Sequence, residues 1–159
     1  MSQVYEEIVN GETWLRHAPD LRHEAICARL HEHVSLCVAP LTSSRLLSPR
    51  SVIQLSAGTL LRPDLALIAT ATGKLWLAAE IVNSHDHRPD TVRKKTLYDE
   101  IKLPRLWMID PRYDNMEVYH GGPYGLTLRQ ILAQHETLTE TLLPGLSLRM
   151  AELFGLATK

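Results

Sequence analysis

The chain has 159 residues, 45% apolar and 22% charged, with a formal net charge of −1. Such a chain is expected to form one domain, 1–159, with a real core, and its apolar runs fall short of the ~18 residues that a membrane span needs. A balance so close to neutral argues against a strongly basic, non-specific nucleic-acid binder.

The opening MSQVYEEIVNGE lacks the basic-then-apolar layout of a secretory signal. Cys27 and Cys37 form no Cys-x-x-Cys pair, so buried thiols in a reducing compartment are expected rather than a disulfide, and the location is read as cytoplasmic. Glu6–Leu15 then reads as two short strands around Asn10-Gly11, a pair that tolerates the positive φ angles of a type I′ turn. After Pro19, Asp20 can cap a helix over Leu21–Cys37, in which Ile26, Leu30 and Val34 recur at helical spacing. Ala39–Ser51 reads as a loop, Val52–Leu55 as a strand, and Pro63 as the start of the next strand.

The centre of the chain is a hairpin: Leu65–Ala71 and Leu75–Val82 are apolar runs separated by Thr72-Gly73-Lys74. A polar connection, Asn83–Pro89, leads to Asp90, a candidate cap for a helix over Thr91–Ile101 that Pro104 ends. Leu106–Ile109 and Met116–Tyr119 read as paired strands, Gly121-Gly122-Pro123 as a turn, and Leu138–Leu143, Pro144-Gly145 and a short helix near Met150–Phe154 complete the chain. Strands and helices in this order suit an α/β (α+β) fold in which a central mixed β-sheet is flanked by helices.

An antiparallel pair folded about Thr72 sets residues opposite each other when their numbers sum to about 144, as those of Asp64 and Glu80 do. Like charges opposed on a sheet are unfavourable, and a divalent cation would offset them. Glu80 is also a carboxylate within an apolar run, where an unpaired charge is costly. On the following helix Asp90, Lys94 and Tyr98 share one face, so a helix lying over the hairpin would bring Lys94 to the carboxylates. Two hard oxygen ligands with a lysine are the parts of a Mg²⁺-dependent phosphodiesterase. The plainer reading makes Asp64 a strand-entry residue, Glu80 a surface residue and Lys94 the helical ion-pair partner of Asp90.

Glu80-Ile81-Val82-Asn83, with Asp90, Lys94, Tyr98, Pro104 and Trp107-Met108-Ile109-Asp110-Pro111, resembles the Uma-type restriction-endonuclease family, formerly a domain of unknown function, of the PD-(D/E)XK nuclease superfamily. The likeness extends to the opening Glu7–Glu12, to His23 with Ile26 and Leu30, to Pro63-Asp64-Leu65 and to the closing Leu143–Leu146 and Leu153-Phe154. It implies a restriction-endonuclease-like fold with an N-terminal β-hairpin and Mg²⁺- or Mn²⁺-dependent hydrolysis of nucleic acid, with DNA the expected substrate, by a homodimer. It also implies that Asp64 and Glu80 are metal ligands and Lys94 a catalytic lysine moved to the helix from the strand position held here by Val82. Glu7 and His23 fall on accessory positions, with a packing role for His23 the other reading. Asn83-Ser84-His85, Lys102 and Arg105-Leu106 depart from the family pattern, which has Ser-Pro-Ser, Gly and Glu-Tyr there.

Three other readings stand beside this one. His85-Asp86-His87 could begin a zinc site but lacks placeable further ligands. The fold could bind nucleic acid or a protein without cutting. A purely structural oligomerisation domain would be favoured by an exposed Glu80 far from Asp64. The cluster Arg88, Arg93, Lys94, Lys95, Lys102 and Arg105 could form a basic face or an ordinary solvated helix.

Overall fold

Strands alternate with three helices along the described chain. A computed structural model describes residues 3–83 and 88–156, with backbone only at 88–90. In chain order the elements are β1 (Tyr5–Val9), β2 (Glu12–Arg16), α1 (Leu21–Val38), β3 (Ser44–Leu46), β4 (Ile53–Ser56), β5 (Thr59–Leu61), β6 (Leu65–Ala69) and β7 (Leu75–Ile81). There follow α2 (Arg88–Glu100), β8 (Arg105–Asp110), β9 (Asn115–Gly122), β10 (Gly125–Ala133), β11 (Thr137–Glu140), β12 (Leu143–Arg149) and α3 (Met150–Leu153).

The central sheet has the order β10-β9-β8-β7-β6-β3, a smaller one the order β2-β1-β5-β4, and β11 pairs with β12. All pairings in the central sheet are antiparallel except β7 with β8, which are parallel and joined by the crossover helix α2. The sheet is therefore mixed, as expected.

Local chemistry explains the ends of these elements. Asn10 and Gly11 both have positive φ, +50° and +82°, which closes β1–β2 as a type I′ hairpin. The Asp20 carboxylate accepts the His23 backbone N–H at 2.7 Å and so caps α1. Lys102, at a position where a glycine is usual in the resembling family, lies just beyond α2 with φ +57°, the left-handed conformation that glycine adopts without steric cost.

Period-2 alternation on β7 divides the interior in two. Leu77, Ala79 and Ile81 join Leu65, Leu67, Trp107 and Ile109 against Ile26, Leu30 and Val34 of α1, with the β11–β12 hairpin and α3 closing that side. Ala78 and Val82 face the opposite way, toward Leu97 and Tyr98 of α2 and Val9 and Leu61 of the small sheet. Burying each such leucine stabilises the fold by roughly 1.5–3 kcal/mol relative to leaving it in water. Glu80 lies between Ala79 and Ile81 and shares the second face.

Several sequence expectations are corrected. The segment read as a loop over Ala39–Ser51 contains β3, a three-residue strand too short to carry a period. β5 and the largely exposed nine-residue β10 are not foreseen from the sequence, because β5 is only three residues long and the alternation of β10 over Leu126–Arg129 breaks at a register shift after Leu128. Pro144 and Gly145 fall inside β12, yet pairing with β11 uses Leu143, Leu148 and Arg149, so the proline's missing N–H costs no ladder bond. Helix α2 begins at Arg88, which puts Asp90 within the helix instead of at its cap. The side chain of Asp90 and the His85-Asp86-His87 motif lie outside the described residues. Both cysteines are free, but only Cys27 is fully buried.

Candidate active site

The register of β6 and β7 pairs Leu65 with Ala79, Ala66 with Ala78 and Leu67 with Leu77. Asp64 stands one residue before β6, where the same register continued would set it opposite Glu80, and its Oδ2 accepts the N–H of Ile81, the residue after Glu80. Both carboxylates are buried, as are Lys94, Glu7, Tyr98 and His23. The condition that would favour a merely structural domain, an exposed Glu80, is not met.

Glu80 is held from α2. Lys94 Nζ lies 3.1 Å from its Oε2, and the Tyr98 hydroxyl, one turn on, donates to Oε1 at 2.9 Å. Lys94 is shared, because its Nζ is also 2.8 Å from Oε1 of Glu7 on β1. Glu7 Oε2 accepts the Arg62 backbone N–H at 2.7 Å, and Arg16 Nε stands 3.5 Å from Oε1. The N-terminal hairpin thus adds a third carboxylate to the site.

Asp64 is held from the other side of the sheet. Its Oδ2 accepts the Ile81 backbone N–H at 2.8 Å, and its Oδ1 accepts from His23 Nε2 at 2.9 Å and Arg50 Nη1 at 3.0 Å. Its backbone carbonyl accepts from His31 Nε2 at 2.7 Å.

These surroundings split the ionisation of the two carboxylates. Burial alone raises both. For Asp64 the His23 hydrogen bond and charge, the Ile81 N–H and Lys94 outweigh burial and hold the carboxyl below its ordinary range. For Glu80 burial prevails over Lys94, Glu7 and Asp64 add repulsion, and the carboxyl is pushed up to about 7. Burial opposes the charge on Lys94, but Glu80 and Glu7 hold its ammonium above the usual lysine range.

A small hard cation fits this donor set. Each carboxylate oxygen has about two acceptor positions. Asp64 Oδ2, Glu80 Oε1 and Glu80 Oε2 each accept one hydrogen bond, so each keeps one position. Among the described residues no group of three or more His, Cys, Asp or Glu side chains forms a metal site. The protein ligands would therefore be two carboxylates, a number that Mg²⁺ commonly takes while keeping several waters.

Arg50 is a site residue that nothing in the sequence points to. It stands in a segment without periodicity, and its approach to Asp64 depends on a φ of +58° that no residue type there announces. The supposed basic face is also largely committed. Lys94 is buried, Arg93 lies over the Trp14 ring, Lys95 over the Tyr119 ring, and Arg105 pairs with Glu140. Beside the site is a cleft of about 490 Å³, with Val82, Lys95, Met108, Arg112 and Glu117 in its walls. Met108 pairs with Glu80 across the sheet, so the cleft floor continues the row that carries the carboxylate.

The chain has a restriction-endonuclease-like fold, and its mixed sheet with one parallel βαβ crossover matches the crystal structure of a putative nuclease belonging to DUF820 from Anabaena variabilis ATCC 29413. That structure matches with a TM-score of 0.77 and 14% identity, over 94% of this chain and 89% of its own. The Uma2 family model, described as "Putative restriction endonuclease", matches residues 2–151, and the chain belongs to that family. A DrdV–DNA complex aligns over 66% of this chain and 9% of its own, with 16% identity and a TM-score of 0.44, too limited a likeness to bear on the site. No curated protein matches the sequence.

Proposed function

We propose that the protein is a metal-dependent endonuclease that hydrolyses phosphodiester bonds of nucleic acid, with DNA the substrate. The observation that carries this reading is Glu80, buried at the same end of the hairpin as Asp64 and bonded to both Lys94 and Tyr98. Asp64 and Glu80 would hold Mg²⁺ or Mn²⁺, which polarises a phosphate and lowers the pKa of a bound water. Lys94 places a fixed positive charge beside the carboxylates, where it stabilises charge developing on the phosphate. Tyr98 and Glu7 hold Lys94 and Glu80 in register, and the cleft beside Met108 gives a polynucleotide a place to lie. A homodimer working in the cytoplasm, cutting both strands with two sites, completes the reading.

The test is cleavage of plasmid and single-stranded DNA, and of RNA, with Mg²⁺, Mn²⁺ or EDTA, comparing the parent with Glu80→Gln. Metal-dependent cutting of DNA lost in the folded variant is the expected result. The burial of Asp64, Glu80 and Lys94, at 5% exposure or less, favours a second reading, a nuclease fold that binds without cutting. DNA binding that persists without cleavage under every metal would establish that alternative.

A further inference from the structure

Asp64 is gripped asymmetrically. Its Oδ1 receives two donors, His23 Nε2 at 2.9 Å and Arg50 Nη1 at 3.0 Å, which use both acceptor positions of that oxygen. Its Oδ2 receives only the Ile81 N–H. A cation between the carboxylates can therefore reach Asp64 through Oδ2 alone.

Arg50 is built to stay in place. Its other nitrogen, Nη2, lies 2.8 Å from Glu24 Oε1, so the guanidinium spans two carboxylates. Its backbone is fixed from both ends, by its own N–H to the Pro63 carbonyl at 3.0 Å and by Arg62 Nη1 to its carbonyl at 3.1 Å. The φ of +58° is uncommon for a residue with a Cβ and persists where neighbours impose it. These bonds hold the guanidinium on the side of Asp64 that faces α1.

We infer that Arg50 is a positioning residue that, with His23, limits Asp64 to one-oxygen ligation and thereby makes the site select a small octahedral cation over Ca²⁺. Ca²⁺ takes six to eight oxygens and accepts carboxylates through both, whereas Mg²⁺ and Mn²⁺ suit a sparse set of single oxygens completed by water. Freeing Oδ1 makes two-oxygen ligation available and removes part of that preference. This inference rests on the proposed metal site.

Calorimetric titration of the purified protein with Mn²⁺ and with Ca²⁺ tests it without reference to cleavage. The parent is expected to bind Mn²⁺ more tightly than Ca²⁺. In Arg50→Met the ratio of the two affinities should shift toward Ca²⁺ about tenfold, the lower end of what the loss of a ligand's outer partner does to metal affinity. Arg50→Lys, which can still donate to Oδ1, should keep the parental ratio. His23→Phe frees the other position on Oδ1 and should repeat the Arg50→Met shift, so it decides the matter if Arg50→Met does not fold. An unchanged ratio in the folded variants overturns the inference but leaves the metal site standing. Failure of the parent to bind Mn²⁺ overturns both.

Discussion

Asp64 and Glu80 lie at the same end of one hairpin, are comparably buried at 2% and 5% exposure, and are shifted in opposite directions. Asp64 has two nitrogen donors on one oxygen and a backbone N–H on the other. Glu80 has a neutral hydroxyl and an ammonium that it divides with Glu7. Desolvation is therefore not what separates them. The number of positive groups each carboxylate holds for itself is, and Lys94 is one charge serving two anions.

Removing Lys94 is the harshest test of that contrast. In Lys94→Met, Glu7 and Glu80 remain buried without their shared cation, and breaking a buried pair from one side costs about 3–5 kcal/mol. The urea midpoint at pH 8 should fall accordingly, with part of the loss recovered at pH 5, where Glu80 takes up a proton. A variant as stable as the parent at both pH values would refute the shared-charge account. DNA cleavage should drop at least ~100-fold, the usual scale for losing a group that stabilises transition-state charge.

How much of this was legible follows the same division. The Glu80 side rests on the register of one tight hairpin and on a period of about 4 along the helix, and both can be read from residue types. Asp64 opposite Glu80, and Lys94 and Tyr98 on one helical face, were thus available from the sequence; the structure bonds Lys94 and Tyr98 to Glu80 and places Asp64 near enough for its charge to act on Glu80. The Asp64 side rests on tertiary contacts between segments with no common period. His23 reaches Asp64 from a helix 41 residues away in sequence, and Arg50 from a loop at positive φ. The family likeness pointed to His23 and Glu7 as accessory positions; nothing pointed to Arg50. β3 and β10 escaped for a related reason, since a three-residue edge strand and a mostly exposed strand owe their place to their neighbours.

The next effect concerns pH. The Glu80 carboxyl lies near 7 in the folded protein, against an ordinary value of about 4.3 in the unfolded chain. Between those values the folded state holds more protons than the unfolded one, so stability falls as pH rises through that window. The loss from pH 4.5 to 8 in metal-free protein should be on the order of 2–3 kcal/mol. Asp64 acts in the opposite sense, since its lowered carboxyl contributes stability that is lost only as pH falls below the unfolded value. Urea denaturation of the parent and Glu80→Gln across pH 5–8 separates them. The variant should lack the decline, and an equal decline in both would assign it to other groups.

Tyr98→Phe probes the Glu80 side most gently. The ring stays packed and only the hydroxyl bond to Oε1 is lost, a loss of about 1.5–3 kcal/mol for a donor to an ionised partner. That bond favours the charged carboxylate, so without it the Glu80 carboxyl should rise further, and the pH-dependent decline should move to higher pH. The cost of the substitution should also differ with pH. At pH 8 the parental hydroxyl serves an anion and its loss is felt in full. At pH 5 Glu80 is protonated, the bond is an ordinary neutral one, and the difference from the parent should shrink to about half. Urea midpoints of parent and variant at the two pH values make the comparison. Equal losses at pH 5 and pH 8 would mean that Tyr98 supports Glu80 by packing and not by holding its charge.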